Sequence, residues 1–244
     1  MCQIGYTAGS RSNPQLGWAW NLLGKQADTK VTRLMYESSS VFALFWNILR
    51  KQLPQEINDD FEGWLQQTDI PRMNAMGAQS SGKGMYTVGY GDVKFEFHGV
   101  DMPPPSGVFG TNYARFVEVG CVVHYLISFR FIHREGSCHK YAVSWTTMRD
   151  PQLGKNGGGH FFCCNHGIKV EASADSVVVL RPKSWHGTSL QQWDPKNPAI
   201  FQAGLSIVTP LGVARLWDKV QENKLSLEEA RRTMLELESE ETAD

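Results

Sequence analysis

The run of short β-forming segments between residues 140 and 208 most constrains what this chain can fold into. Residues 140–147, 160–164, 168–170, 176–180 and 200–208 are rich in Val, Ile, Phe, Tyr and Trp, and each is closed by Gly, Asp, Asn or Pro. The Gly-rich stretch 150–159 and Asp194-Pro195-Lys196-Asn197-Pro198 read as loop and turn. No such strand buries itself alone. Many of them at this spacing predict a barrel or a sandwich. Upstream, Tyr86, Val88 and Tyr90, then Val93, Phe95 and Phe97, alternate with polar or small residues around Gly91-Asp92, which predicts a hairpin. Residues 116–131 also alternate, over a length well beyond the usual strand of about 5–6 residues. They read as a bent strand, a hairpin hinged at Gly120, or an inserted segment.

The candidate chemistry sits on these strands. In an extended chain side chains two apart share a face, so His133 and Glu135 point the same way. His186, arriving from a strand 186 − 135 = 51 residues further on, completes two imidazoles and one carboxylate. That set, with coordination positions left open, is the facial triad of non-haem Fe(II) oxygenases. The plain alternative is a chance H-x-E triplet. A second metal reading, zinc on His160, Cys163, Cys164 and His166, meets a spacing problem: the four are crowded into seven residues on alternating faces. Buried free thiols are the expectation there. The sequence carries no G-x-S-x-G elbow, P-loop or G-x-G-x-x-G after a strand, so serine hydrolase, NTPase and Rossmann readings lack support.

Helices flank the β region. Val41, Phe42, Leu44, Phe45, Ile48 and Leu49 recur at helical spacing behind a serine cluster that could cap the first turn, and Pro54 ends the run. A second helix is predicted over 56–67, a third over 211–220, and a last over 227–237 behind a Ser226/Glu229 capping box. The expected organisation is a poorly ordered arm over 1–37 and one domain over 38–244. That domain divides into a helical buttress (38–70), a β-barrel core (84–208) and C-terminal helices (210–240). Among 244 residues, 41% are hydrophobic and the net charge is −1, which gives no reason to invoke nucleic acid or an anionic membrane as partner. The apolar runs are too broken to span a bilayer. Five cysteines and a start without basic or apolar blocks predict a reduced, intracellular protein, with nucleus and cytoplasm equally open.

The matching blocks Asn112-Tyr113-Ala114-Arg115, His133-x-Glu135, 141–147, Gly158-Gly159-His160-Phe161-Phe162, Gly167-Ile168-Lys169-Val170, His186-Gly187-Thr188-Ser189-Leu190 and Gly204-Leu205-Ser206-Ile207-Val208 are then read together. In their order, this region resembles the 2-oxoglutarate and Fe(II)-dependent dioxygenases, and within them the fungal branch related to the TET/JBP group. The resemblance implies an α+β fold: a double-stranded β-helix (a jelly-roll or cupin-like barrel) with N- and C-terminal helices packed outside. It implies Fe(II) on His133, Glu135 and His186, 2-oxoglutarate as a small-molecule cosubstrate, and hydroxylation of a C–H bond, with a methylated nucleobase as one substrate class. Two positions depart from the family pattern. Glu135 stands where Asp is usual, and Gly204 stands where the family places an arginine to grip the far carboxylate of 2-oxoglutarate. Arg115, Arg181 and Ser206 are the candidate cosubstrate residues; Tyr113, Trp145 and Trp185 are the candidate pocket walls. Lys155, Lys169, Arg181, Lys183 and Lys196 are the basic residues that could line a rim for nucleic acid. The competing expectation is a catalytically degenerate barrel serving as a binding or scaffold module. The oligomeric state is not legible in the sequence.

Overall fold

The computed structural model describes residues 2–10, 13–19, 28–74, 82–111, 132–192 and 202–222. In chain order these form β1 (Cys2–Ser10), β2 (Asn13–Trp18), α1 (Asp28–Leu49), α2 (Gln55–Thr68), β3 (Lys83–Tyr90), β4 (Val93–Asp101) and β5 (Ser106–Thr111). Then follow β6 (Ala142–Arg149), β7 (Phe161–Cys163), β8 (Ile168–Val170), β9 (Ser176–Leu180), β10 (His186–Thr188), β11 (Gln202–Ile207) and α3 (Leu211–Gln221). A six-stranded sheet runs β2-β1-β5-β11-β6-β9, a three-stranded sheet runs β10-β7-β8, and β3-β4 stand apart as a hairpin. All these pairings are antiparallel. The protein is a mixed α+β fold; its described strands form open sheets and no closed barrel. No described helix is long and apolar enough to cross a membrane.

Side-chain alternation decides what each face of the large sheet meets. On β11, Leu205 and Ile207 are buried with Val143 of β6 against Phe42, Phe45, Trp46 and Leu49 of α1 and Phe61 of α2. Full burial of such side chains stabilises by roughly 1.5–3 kcal/mol each, so this layer holds α1 and α2 on the sheet. Residues of opposite parity, Ala142, Ser144 and Ser206, face a cavity on the other side. Gly107 on β5 is required by the contact: a Cβ there would come 2.3 Å from the Phe42 ring and 2.9 Å from the Ser206 carbonyl oxygen.

Several expectations are corrected. The N-terminal residues are not a loose arm. β1 lies inside the large sheet, between β2 and β5, because Ile4 joins the main core and Ala8 a second one. The 83–101 hairpin forms as its alternation predicts, but outside the two larger sheets, with Tyr86 and Met102 buried against Ala43 of α1. β5 starts directly after Pro103-Pro104-Pro105, a stretch for which the sequence offers no strand signal. α1 begins ten residues before the serine cluster, so Ser39 and Ser40 are buried in mid-helix and do not cap it. Ser39 Oγ donates to the Tyr36 carbonyl, and Ser40 Oγ accepts from the Thr87 amide. Val41 and Ile48 of the expected apolar stripe are exposed. α2 and α3 fall where predicted, to within one residue. The 116–131 segment and the last helix, 227–237, lie outside the described residues.

Candidate metal centre

The three predicted ligands meet. His133 and His186 form an isolated antiparallel bridge in which each backbone N–H donates to the other's carbonyl, at 2.8 and 2.9 Å. A pair that exchanges both hydrogen bonds places its side chains on one face, and the two imidazole centroids lie 4.4 Å apart. Glu135 N–H donates to Pro182 O at 2.9 Å, which holds the backbone two residues on, and its carboxylate lies on the same face as His133. Glu135 Oε1 lies 2.9 Å from His133 Nε2. Further along, Ser137 bridges Pro210 and Cys138 N–H donates to Thr209 O, which ties the segment to the start of α3. His186 is flanked on its other side by Cys163 of β7 and is buried, while His133 and Glu135 are each about one-quarter exposed.

The donor set suits a divalent ion. The potential ligand atoms of His133, Glu135 and His186 all lie within 4.8 Å of one another. Cis ligands at about 2.1 Å from a metal stand about 3 Å apart, from metal–ligand lengths of this class. The His133–Glu135 pair already meets that spacing, and His186 has to close by less than about 2 Å. His186 Nδ1 lies 2.7 Å from the Ser184 carbonyl, which can only accept, so Nδ1 carries the proton and Nε2 presents its lone pair. The extra methylene of Glu135 does not move its carboxylate out of reach.

The triad opens on a cavity of about 490 Å³ between the two larger sheets. Gln3, Ser106, Ser144, Thr188 and Ser206 supply uncharged polar lining, and Phe161 an aromatic wall whose ring centroid lies 5.8 Å from that of His186. Ser206 thus lines the cavity as expected. Trp145 does not: its position on β6 turns it to the opposite face, stacked on Phe45 at 5.2 Å. Trp185 is also excluded, since its neighbour His186 takes the inner face; it lies exposed under the Arg134 guanidinium, 5.0 Å from the ring centroid. Arg181 is exposed and sits over the Tyr141 ring, away from the cavity. Tyr113, Arg115, Trp193 and Lys196 lie outside the described residues. Lys155, Lys169 and Lys183 are exposed, Lys169 within 3.6 Å of Glu171. Sequence reading missed Gln3, Ser144 and Phe161 as lining residues. The available signal was a serine at alternate parity in otherwise apolar strands, Ala142-Val143-Ser144-Trp145 and Gly204-Leu205-Ser206-Ile207.

The zinc alternative does not assemble. His160 is buried and its Nδ1 accepts from the Ala172 amide at 3.1 Å; burial, and then the charge of Lys169, hold its pKa below the ordinary histidine range. Cys163 and Cys164 are free and partly buried. Among the described residues only the His133–Glu135–His186 group brings three such ligands together.

Among the described residues the cavity offers no cation to a second carboxylate such as that of 2-oxoglutarate. A Cβ at Gly204 would lie 2.6 Å from the Trp145 carbonyl oxygen, so any side chain there forces the sheet apart. No lysine or arginine lines the cavity among the described residues. Compared with models of protein families, with curated proteins and with solved structures, the chain matches none.

Proposed function

We propose that His133, Glu135 and His186 hold one Fe(II) and that the protein is a dioxygenase-like enzyme using O2 and a 2-oxo acid to hydroxylate a C–H bond. The observation that carries the reading is the hydrogen-bonded His133–His186 pair, with Glu135 2.9 Å from one of its rings, at the mouth of a cavity. Iron, when bound, supplies the O2 chemistry; two imidazoles and one carboxylate are the donor set suited to it. The chain's own residues do the positioning. The Ser184 carbonyl fixes the His186 tautomer, the bridge fixes the separation of the two rings, and Phe161 keeps one side of the site dry.

Strand order supports a double-stranded β-helix as the finer description of the fold. Counting the 133–135 segment, the pairs β5–β11, 133–β10, β6–β9 and β7–β8 nest one inside the next. That is the order a folded-over jelly roll produces from eight consecutive strands. It is also the order that the resemblance to the TET/JBP-related dioxygenases implies.

Anaerobic reconstitution with Fe(II) tests the proposal. About one iron per chain is expected in the wild type, and little in His133→Ala or His186→Ala. Equal iron in all three would overturn it. The filled space at Gly204 favours a second reading, a degenerate member kept as a binding or scaffold module. Uncoupled consumption of a 2-oxo acid by the iron-loaded protein separates the two, since a scaffold shows none. A methylated base remains the substrate class implied by the resemblance. The stacking ring available to it would be Phe161, with neither Trp145 nor Trp185 on the cavity.

A further inference from the structure

We propose that the cavity selects a 2-oxo acid with an uncharged tail and discriminates against the dicarboxylate 2-oxoglutarate. The proposal rests on the metal centre described above and names the ligand that would share it. A 2-oxo acid offers its carboxylate and keto oxygens to a metal; its tail then has to lie in the cavity. Three features of this chain decide what that tail can be.

The first is Gly204. With the Trp145 carbonyl oxygen 2.6 Å from where its Cβ would stand, the position cannot carry a cationic side chain without opening the β6–β11 ladder. The second is the state of the hydroxyl lining. Ser106 Oγ donates to the Tyr6 carbonyl at 2.6 Å and Gln3 Nε2 donates to the same oxygen at 3.1 Å, so the Ser106 proton and one of the two Gln3 N–H groups are spent inside the wall. Ser206 Oγ donates to Ser144 Oγ at 2.8 Å, leaving the Ser144 proton as the donor of that pair. A neutral hydroxyl such as that of Ser144 or Thr188 suits a carbonyl or hydroxyl on the tail. It compensates a carboxylate poorly, because a desolvated anion needs charge-assisted, preferably bidentate, donors. The third is charge balance: Glu135 and the carboxylate of the 2-oxo acid together neutralise a divalent ion, so a second carboxylate on the tail finds no counter-charge on the described cavity lining. The volume of about 490 Å³ falls within the usual range for a small-molecule site, so size alone excludes neither acid.

The test uses Co(II) as a spectroscopic stand-in for iron on the intact chain, with 2-oxopentanoate and 2-oxoglutarate as probes. They share a carbon count and differ in the charge at the tail. Co(II) is titrated first, into wild type and His186→Ala; each acid is then titrated into the Co(II)-loaded wild type, following the visible bands. The expected result is a Co(II) spectrum that His186→Ala lacks, shifted by 2-oxopentanoate at a concentration at least about tenfold below that needed for 2-oxoglutarate, a difference worth about 1.4 kcal/mol. Ser206→Arg, which places a guanidinium on the cavity face, should reverse that order; if this variant fails to fold, the wild-type comparison still decides. Co(II) binding followed by equal or tighter binding of 2-oxoglutarate overturns the selectivity and leaves the metal centre standing. Co(II) bound with no response to either acid also overturns it. A Co(II) spectrum unchanged by His186→Ala removes the metal centre, and the selectivity falls with it.

Discussion

Acidification should destabilise this protein through His139, and the size of the effect follows from where that imidazole sits. His139 is 2% exposed, with ring centroids 4.4 Å from Phe61 and 4.6 Å from Trp64, and its Nε2 is 3.3 Å from Thr209 Oγ1. Burial, reinforced by the positive charge of Arg72, pushes its pKa down from 6.5 to about 3. The unfolded chain therefore binds a proton near pH 6.5 that the folded chain refuses until about pH 3. Between those values the unfolded state holds more protons, so stability falls as pH falls. The contribution is present in full above pH 6.5 and is lost progressively down to about pH 3. From pH 7 to 4.5 the loss from this group is about 2.5 kcal/mol, at 1.36 kcal/mol per unit, a large share of the stability of a typical domain. The functional consequence is local as well. His139 ends the 133–139 run whose start carries two of the three ligands, and it anchors that run to Thr209. Urea unfolding of wild type and His139→Phe at pH 7 and 4.5 measures the effect, because the phenyl ring keeps the packing and cannot take a proton. The wild type should lose about 2.5 kcal/mol more than the variant over that interval. Parallel losses in the two proteins would refute the assignment of acid sensitivity to this histidine.

Gly107→Ala should destabilise by roughly 1–3 kcal/mol, since its methyl group meets both the Phe42 ring and the Ser206 carbonyl; the shift in urea midpoint checks it. Phe45→Ala should cost roughly 3–5 kcal/mol and loosen Trp145, which stacks on it, with the loss visible in tryptophan fluorescence as well as in unfolding. Duplex and single-stranded DNA should bind at about micromolar affinity or weaker at physiological salt, as for non-specific phosphate contacts. Fluorescence anisotropy at two salt concentrations reports it, and nanomolar binding that survives high salt would reverse this view.

Much of the candidate site was legible because its signal is local and periodic. H-x-E on an extended segment places two ligands on one face whatever the rest of the chain does, and short alternating runs with turn residues between them announce β6 through β9 and β11. In the sequence, only ligand chemistry brings His186 to His133; the backbone bridge, a contact 53 residues apart (186 − 133), gives that closure its geometry. Other features depended wholly on tertiary contacts. Residues 2–10 contain three small residues beside polar ones and carry little strand signal of their own, yet become an interior strand because β5 offers its edge. Trp145 and Trp185 stand one residue from cavity-lining positions, Ser144 and His186, and alternation sends both out of the cavity. Residue type alone cannot give that parity, since a strand's register is fixed only by its partner. The sequence by itself thus determined which residues could hold a metal and that the chain is α+β. The pairing of strands decided what lies beside that metal, because a cavity is a property of two sheets facing each other and neither sheet contains it.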